Sequence, residues 1–352
     1  MKKNKIILII ELLLVLMIFL TGCTEKDASS HIMPDGETVT LNGVGNLNAI
    51  TNKKNRSHVH VNANDSIFHI INHPAFEGFG RFILPTDNGI FDKGMKLNNI
   101  NALLPYHNHV DPDTTVGVIN HMIDKINAGK TIFYDFYTDQ QKQEDPAKES
   151  TGLFFFRGKP GAPFAVVCPG GGFAYVGSIH EGFPHAMALS KKGYNAFVLK
   201  YRTGSELKAT EDLAAAISYV FKKAKMFAVS VDDYSLWGGS AGARMVGNIA
   251  LKGTASFGGD DLPKPGIVVI AYTGQTIFSE DYPPAFITVS EDDGIVNVSV
   301  VDRRVENLRG AGAEVEYRKY KNAGHGFGLG VGTDAEGWIE HAIRFWANHV
   351  SE

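Results

Sequence analysis

From Thr131 onward, short apolar runs alternate with stretches whose apolar positions recur at helical spacing. The runs Ile132 to Tyr137, Leu153 to Phe156, Phe164 to Cys168, Tyr194 to Leu199, Ser235 to Trp237, Ile267 to Ala271, Ala285 to Val289 and Val315 to Tyr320 read as strands. Helices are expected at His185 to Lys192, Asp212 to Phe227, Ala241 to Leu251, Val298 to Arg309 and Asp334 to His349. Thr210 is the expected N-cap of the second of these, with Glu211 and Asp212 in its first turn. Strands alternating with helices imply βαβ units, and hence a mostly parallel sheet covered on both faces. The first two runs are joined without a helical pattern and fit an antiparallel start. No internal repeat interrupts this rhythm.

The pattern before Thr131 is different. Between Val59 and Leu84 the chain is apolar and β-like, with Ile67, Phe68, Ile70 and Ile71 close together. A helix is expected to open at Asp113 or Thr114, since Val116, Ile119, Ile123 and Ile126 share one face and Gly129 stands where a C-terminal glycine belongs. Thr24 to about Asn64 is polar and turn-rich. The expected organisation is a signal segment over 1–23, a tether over 24–57, an N-terminal extension or cap over 58–130, and a catalytic domain over 131–352.

The signal segment carries its own chemistry. Lys2, Lys3 and Lys5 precede an apolar run from Ile6 to Leu20, interrupted by Glu11, that ends in Leu20-Thr21-Gly22-Cys23. This is the form of a bacterial lipobox, in which the Cys23 thiol takes a diacylglycerol. Several acyl chains anchor a protein stably, so a lipid-anchored chain facing away from the cytoplasm is expected. Composition adds limits. With 44% hydrophobic and 20% charged residues the chain is a folded globular one. Cys23 and Cys168 are its 2 cysteines, too few for a disulfide framework. A net charge of −4 gives no electrostatic reason to bind nucleic acid or anionic lipid.

Three motifs carry candidate chemistry. Gly238-Gly239-Ser240-Ala241-Gly242 is a G-x-S-x-G placed between an expected strand and an expected helix, where a strained turn projects the serine hydroxyl above the sheet. Cys168-Pro169-Gly170-Gly171-Gly172-Phe173 follows another strand and lacks the Gly-Lys-Ser/Thr of a phosphate loop. Its use is then an oxyanion hole, with the N–H of Gly171 or Gly172 joined by that of Ala241. Asn322-Ala323-Gly324-His325-Gly326 offers His325, between glycines on a loop, as general base. Ser290-Glu291-Asp292-Asp293 supplies the orienting carboxylate, giving the chain order Ser, Asp, His of α/β-hydrolases.

Taken with Glu181-Gly182 and Phe197 to Arg202, these motifs resemble the esterase/lipase branch of the α/β-hydrolases. The similarity is greatest to the acetyl xylan esterase and feruloyl esterase-like carboxylesterases, over about residues 131 to 350. The resemblance implies an eight-stranded, mostly parallel sheet and a covalent acyl-enzyme, and it selects Asp293 over Asp292 as the acid. Glu181 can touch the substrate or support the oxyanion loop. Before the catalytic domain lie His58, His60, His69, His73, His107, His109 and His121. Pairs at i, i+2 share only a strand face and no H-E-x-x-H occurs, so neither metal nor cofactor is expected. The aromatic stretch His73 to Pro85 suits either a pocket-lining lid or a packing extension. The expected activity is hydrolysis of short-chain, acetyl-type esters or acylated saccharides by Ser240, His325 and Asp293. A serine peptidase of short peptides and a surface binding protein that kept the fold are the rival readings.

Overall fold

The computed structural model describes residues 57–86 and 91–351. The signal segment, Cys23 and the tether up to residue 56 lie outside the described residues. The sheet has eight strands: β1 Phe133–Tyr134, β2 Gly152–Phe156, β3 Pro163–Cys168, β4 Asn195–Lys200, β5 Ser230–Gly239, β6 Ile267–Ala271, β7 Ala285–Ser290 and β8 Val315–Tyr320. Their spatial order is β1-β2-β4-β3-β5-β6-β7-β8. β1 with β2 and β2 with β4 are antiparallel, and every later pairing is parallel. This is the eight-stranded, mostly parallel sheet expected from the sequence. The central strands β4, β6 and β7 are buried at every position, as strands covered on both faces must be. β8 closes the edge with the half-buried, charge-bearing Val-Glu-Tyr-Arg-Lys-Tyr.

Described helices long enough to matter here are α1 Ile67–Ile71, α2 Pro112–Asn127, α3 Asp139–Glu144, α4 Phe183–Lys191, α5 Glu206–Lys222, α6 Ala224–Phe227, α7 Ala241–Lys252, α8 Val298–Gly310 and α9 Trp338–Ala347. Crossover handedness sorts them. The chain steps from β3 outward to β4 through α4, then reverses past β3 to β5 through α5 and continues to β6 through α7. Right-handed crossovers in opposite directions lie on opposite faces, so α4 covers one face and α5, α7 and α8 the other. α9 returns to pack beside α4. The reversal puts a crevice at the carboxyl ends of the central strands, where ligands of such sheets bind.

Four sequence expectations differ from the structure. Ile67 to Ile71 is helical, not β-like: Ile67 and Ile70 are buried one turn apart, and the Ser66 side chain caps the helix by accepting the His69 N–H. α5 starts at Glu206 with Ser205 as cap, so Thr210 lies inside it and its hydroxyl bonds back to the Glu206 carbonyl. The turn from β1 to β2 contains α3, closed by a capping box between Thr138 and Gln141 that a window read for apolar periodicity misses. The last helix begins at Trp338, since Gly337 at φ 86° stops it from extending back to Asp334. Further upstream, α2 begins at Pro112 with Asp111 as its cap, just before the expected Asp113 or Thr114, and Gly129 follows it at φ 72° as the sequence predicts.

The segment before β1 is packed, not loose. Ile67, Ile70, Phe76, Ile83, Leu97, Ile100, Val118 and Met122 belong to the same buried cluster as the sheet. Within His73 to Pro85, Phe79 stacks on Phe133 of β1 at 4.9 Å between ring centres and meets Phe154 of β2 edge-on. That stretch is a packing extension along the antiparallel edge.

Candidate active site

Ser240 stands at the turn between β5 and α7 with φ 49° and ψ −111°, a conformation that costs a non-glycine residue about 1–3 kcal/mol. The strain is held by neighbours. The Ser240 N–H donates to the Ala271 carbonyl at the end of β6 (3.0 Å). A Cβ on Gly242 would meet the Cys168 carbonyl oxygen at 1.9 Å, and one on Gly238 would meet the Ala243 nitrogen at 2.6 Å. Both motif glycines are therefore steric requirements of the turn.

His325 lies on the loop after β8, buried to 2% exposure. Its Nε2 is 2.9 Å from Ser240 Oγ, and its Nδ1 is 2.8 and 3.0 Å from the two carboxylate oxygens of Asp293. Asp293 follows β7, and its Oδ1 also accepts the N–H groups of Ile295 (2.8 Å) and Val296 (2.7 Å). With Nδ1–H facing a carboxylate, Nε2 is the free acceptor directed at the serine hydroxyl. Asp292 is turned away. Its Oδ1 accepts from the Ser290 hydroxyl and the Gly324 N–H, and this holds the histidine loop against β7.

The glycine loop after β3 adjoins this line of contacts. Gly171 has φ 132° and Gly172 φ 62°, so both occupy backbone that L side chains rarely adopt. The N–H groups of Gly171, Gly172 and Ala241 have no hydrogen-bond acceptor among the described residues. N–H donors without an acceptor suit negative charge developing on a ligand oxygen.

Beneath the loop lies Glu181, which sequence reasoning left between two roles. It sits on a π-helical turn, Ser178–Gly182, that runs into α4, and it is 1% exposed. Its Oε2 accepts the Gly170 N–H at 2.6 Å, while its Oε1 accepts the Tyr272 hydroxyl at 2.9 Å and faces His107 Nε2 at 3.1 Å. Burial pushes its carboxyl up, but His107 and the hydrogen bonds outweigh this and hold it below the ordinary carboxylate range. Glu181 is thus the anchor of the glycine loop. Burial and the neighbouring His107 push His180 down to about 3, so it is neutral and donates Nε2–H to the Gly326 carbonyl at 3.0 Å.

Tyr272, Tyr175, Asn108 and His180 escaped the sequence reading. Tyr272 at φ 40° was beyond reach, because nothing in Ala271-Tyr272-Thr273 signals a left-handed residue. Two of the paired histidines have side-chain partners in the protein. His60 pairs with Asp124 (2.6 Å) and His107 bridges Glu181 and Tyr175. Cys168 is a buried strand residue whose thiol burial pushes well up, and Arg202 is buried against Asp212. Among the described residues no helix is long and apolar enough to cross a membrane.

Comparison with known proteins agrees with this fold. The BD-FAE family model matches residues 157–264. The chain is 24% identical over 208 residues to an acetylxylan esterase of Xylanibacter ruminicola, covering 50% of this chain and 43% of that protein. It is 28% identical over 174 residues to endo-1,4-beta-xylanase B of Butyrivibrio fibrisolvens, covering 38% and 27%. The matches thus span less than half the length of either curated relative. An acetyl ester-xyloside bifunctional hydrolase from Caldicellulosiruptor lactoaceticus superposes with TM-score 0.53 at 20% identity, over 61% of this chain and 95% of that one. Strand order, strained serine turn and relatives converge: the chain is an α/β-hydrolase by fold, with acetylxylan-esterase-type proteins among its relatives.

Proposed function

We propose that the chain is a serine esterase that hydrolyses short-chain, acetyl-type esters, acylated saccharides among them, through an acyl-enzyme. The observation that carries the reading is the continuous contact from Asp293 through His325 to Ser240 Oγ. His325 Nε2 takes the serine proton as Oγ attacks the ester carbonyl, and Asp293 stabilises the imidazolium that forms. The tetrahedral oxyanion is received by the N–H of Ala241 and that of Gly171 or Gly172. Each such donor is worth about 2.7–4 kcal/mol in the barrier. The imidazolium returns the proton to the leaving alcohol. Water, activated by the same imidazole, then attacks the acyl-serine and regenerates the free hydroxyl with release of the acid.

The acetyl group is favoured by the relatives, one an acetylxylan esterase and one an acetyl ester-xyloside hydrolase. For location, the lipobox supports attachment to a bacterial membrane through lipid on Cys23, with the catalytic domain on the extracytoplasmic side. Hydrolysis of p-nitrophenyl acetate and labelling by a fluorophosphonate test the chemistry. Both should vanish in Ser240→Ala. Labelling of the wild type at another residue, or none, overturns the assignment.

A further inference from the structure

We propose that Asn108, on the N-terminal extension, is a positioning residue for His325. This rests on the reading of Ser240, His325 and Asp293 as the working triad. His325 stands between Gly324 at φ 68° and Gly326 at φ 61°, so its loop has little stiffness of its own. Asp293 holds the imidazole at Nδ1 but does not touch the backbone that carries it. Asn108 does. Its N–H donates to the carbonyls of His325 (3.1 Å) and Gly326 (3.2 Å), and its side-chain amide donates to the His325 carbonyl at 2.7 Å.

The contact is close enough to dictate residue type. A Cβ on Gly324 would lie 2.9 Å from Asn108 Nδ2, and one on Gly326 would lie 2.7 Å from the Tyr106 carbonyl oxygen. The segment that carries Asn108 is fastened in turn to the oxyanion side. The Tyr106 N–H donates to Tyr175 Oη (3.1 Å), His107 Nδ1 lies 2.9 Å from the same oxygen, and His107 Nε2 faces Glu181. Glu181 holds Gly170. One short segment, 106–108, therefore refers the base loop and the oxyanion loop to each other. It lies outside the residues matched by the family model.

The full chain is assayed on p-nitrophenyl acetate as Asn108→Ala, Asn108→Asp and Asn108→Gln. Asn108→Asp keeps the shape but loses the side-chain donor to the His325 carbonyl; Asn108→Gln keeps an amide. A misplacement of about 1 Å costs on the order of 10²-fold, so kcat should fall about 10-fold to 10²-fold in the Ala and Asp variants. KM should stay within about twofold, because substrate contacts are untouched. The rate of fluorophosphonate labelling of Ser240 should fall in parallel, and Gln should restore most of both. If the Ala variant fails to fold, the isosteric Asp variant decides. Variants that keep wild-type kcat and labelling, or that lose activity through KM alone, overturn this proposal while leaving the triad standing. A wild type that is not labelled at Ser240 overturns the triad reading and this proposal with it.

Discussion

Asp293→Asn changes one atom and should silence the site. Asp293 Oδ1 accepts two backbone N–H groups, from Ile295 and Val296, at 2.8 and 2.7 Å. In the variant the amide oxygen is held at that position, which turns the amide NH2 toward His325 Nδ1. A donor there forces Nδ1 to be the acceptor, and the ring proton moves to Nε2. Nε2–H then points at Ser240 Oγ, 2.9 Å away, and cannot take its proton. The opposite amide rotamer restores the tautomer only by setting NH2 against the Ile295 and Val296 N–H groups, which then lose their acceptor. Loss of the correct tautomer costs about 10⁴-fold in kcat, equivalent to about 5 kcal/mol in the barrier. Asp292→Asn is the internal control. Its Oδ1 accepts from Ser290 and Gly324, an amide oxygen can do the same, and no imidazole is involved. Its kcat/KM should stay within about tenfold of wild type. The assay is steady-state hydrolysis of p-nitrophenyl acetate at pH 8, with Tm measured beside it. Equal losses in the two variants, or more than about 1% of wild-type kcat/KM surviving in Asp293→Asn, refutes the tautomer reasoning.

Three further outcomes are expected. Gly242→Ala places a methyl 1.9 Å from the Cys168 carbonyl oxygen and should yield insoluble or unlabelled protein, read by soluble expression and fluorophosphonate gel; a stable, active variant contradicts the packing of the turn. Stability should fall as pH drops from about 6.5 toward about 3, because His180 stays neutral in the fold while the unfolded chain takes up its proton, and the lowered Glu181 carboxyl acts in the same direction below 4.5. Urea midpoints at pH 7 and 5 read this, and His180→Gln should flatten the difference; an unchanged slope rules His180 out as its source. Cys23→Ser should abolish incorporation of an alkyne fatty acid and stop retention in the detergent-extracted membrane fraction, and label that survives the substitution excludes Cys23 as the anchor.

Most of the strand framework was legible because buried strands are nearly continuous apolar runs: six expected runs coincide closely with β2, β3, β4, β6, β7 and β8, whereas Ser235 to Trp237 falls inside the longer β5, Ser230–Gly239. Ser240 and His325 announced themselves through flanking glycines, at positions where a side chain would collide with neighbouring atoms. Asp293 was separated from Asp292 by resemblance alone, and its distance to Nδ1 is what distinguishes the two. The cap of α5 was misplaced for a local reason. Thr210-Glu211-Asp212 has the composition of a first turn, yet Ser205 five residues earlier also caps, and the apolar face continues through Ala209 and Leu213. Glu181's three donors and Asn108's grip on the histidine loop come from distant parts of the chain. Polar contacts of this kind have no period and no spacing, so only the assembled structure displays them.

The hydrogen bond from Asn108 to the His325 carbonyl joins positions 217 residues apart. Closing so long a loop adds little to the free-energy cost, about 0.6 kcal/mol per doubling, but non-local contacts of this kind slow folding. A polypeptide emerging from the ribosome N-terminus first exposes Asn108 early, Ser240 next and His325 only near completion. Until then Ser240 has no imidazole beside it and Asn108 has no carbonyl to hold. Under the proposed mechanism the growing chain is inert toward esters until the first and last parts of the folded body have met.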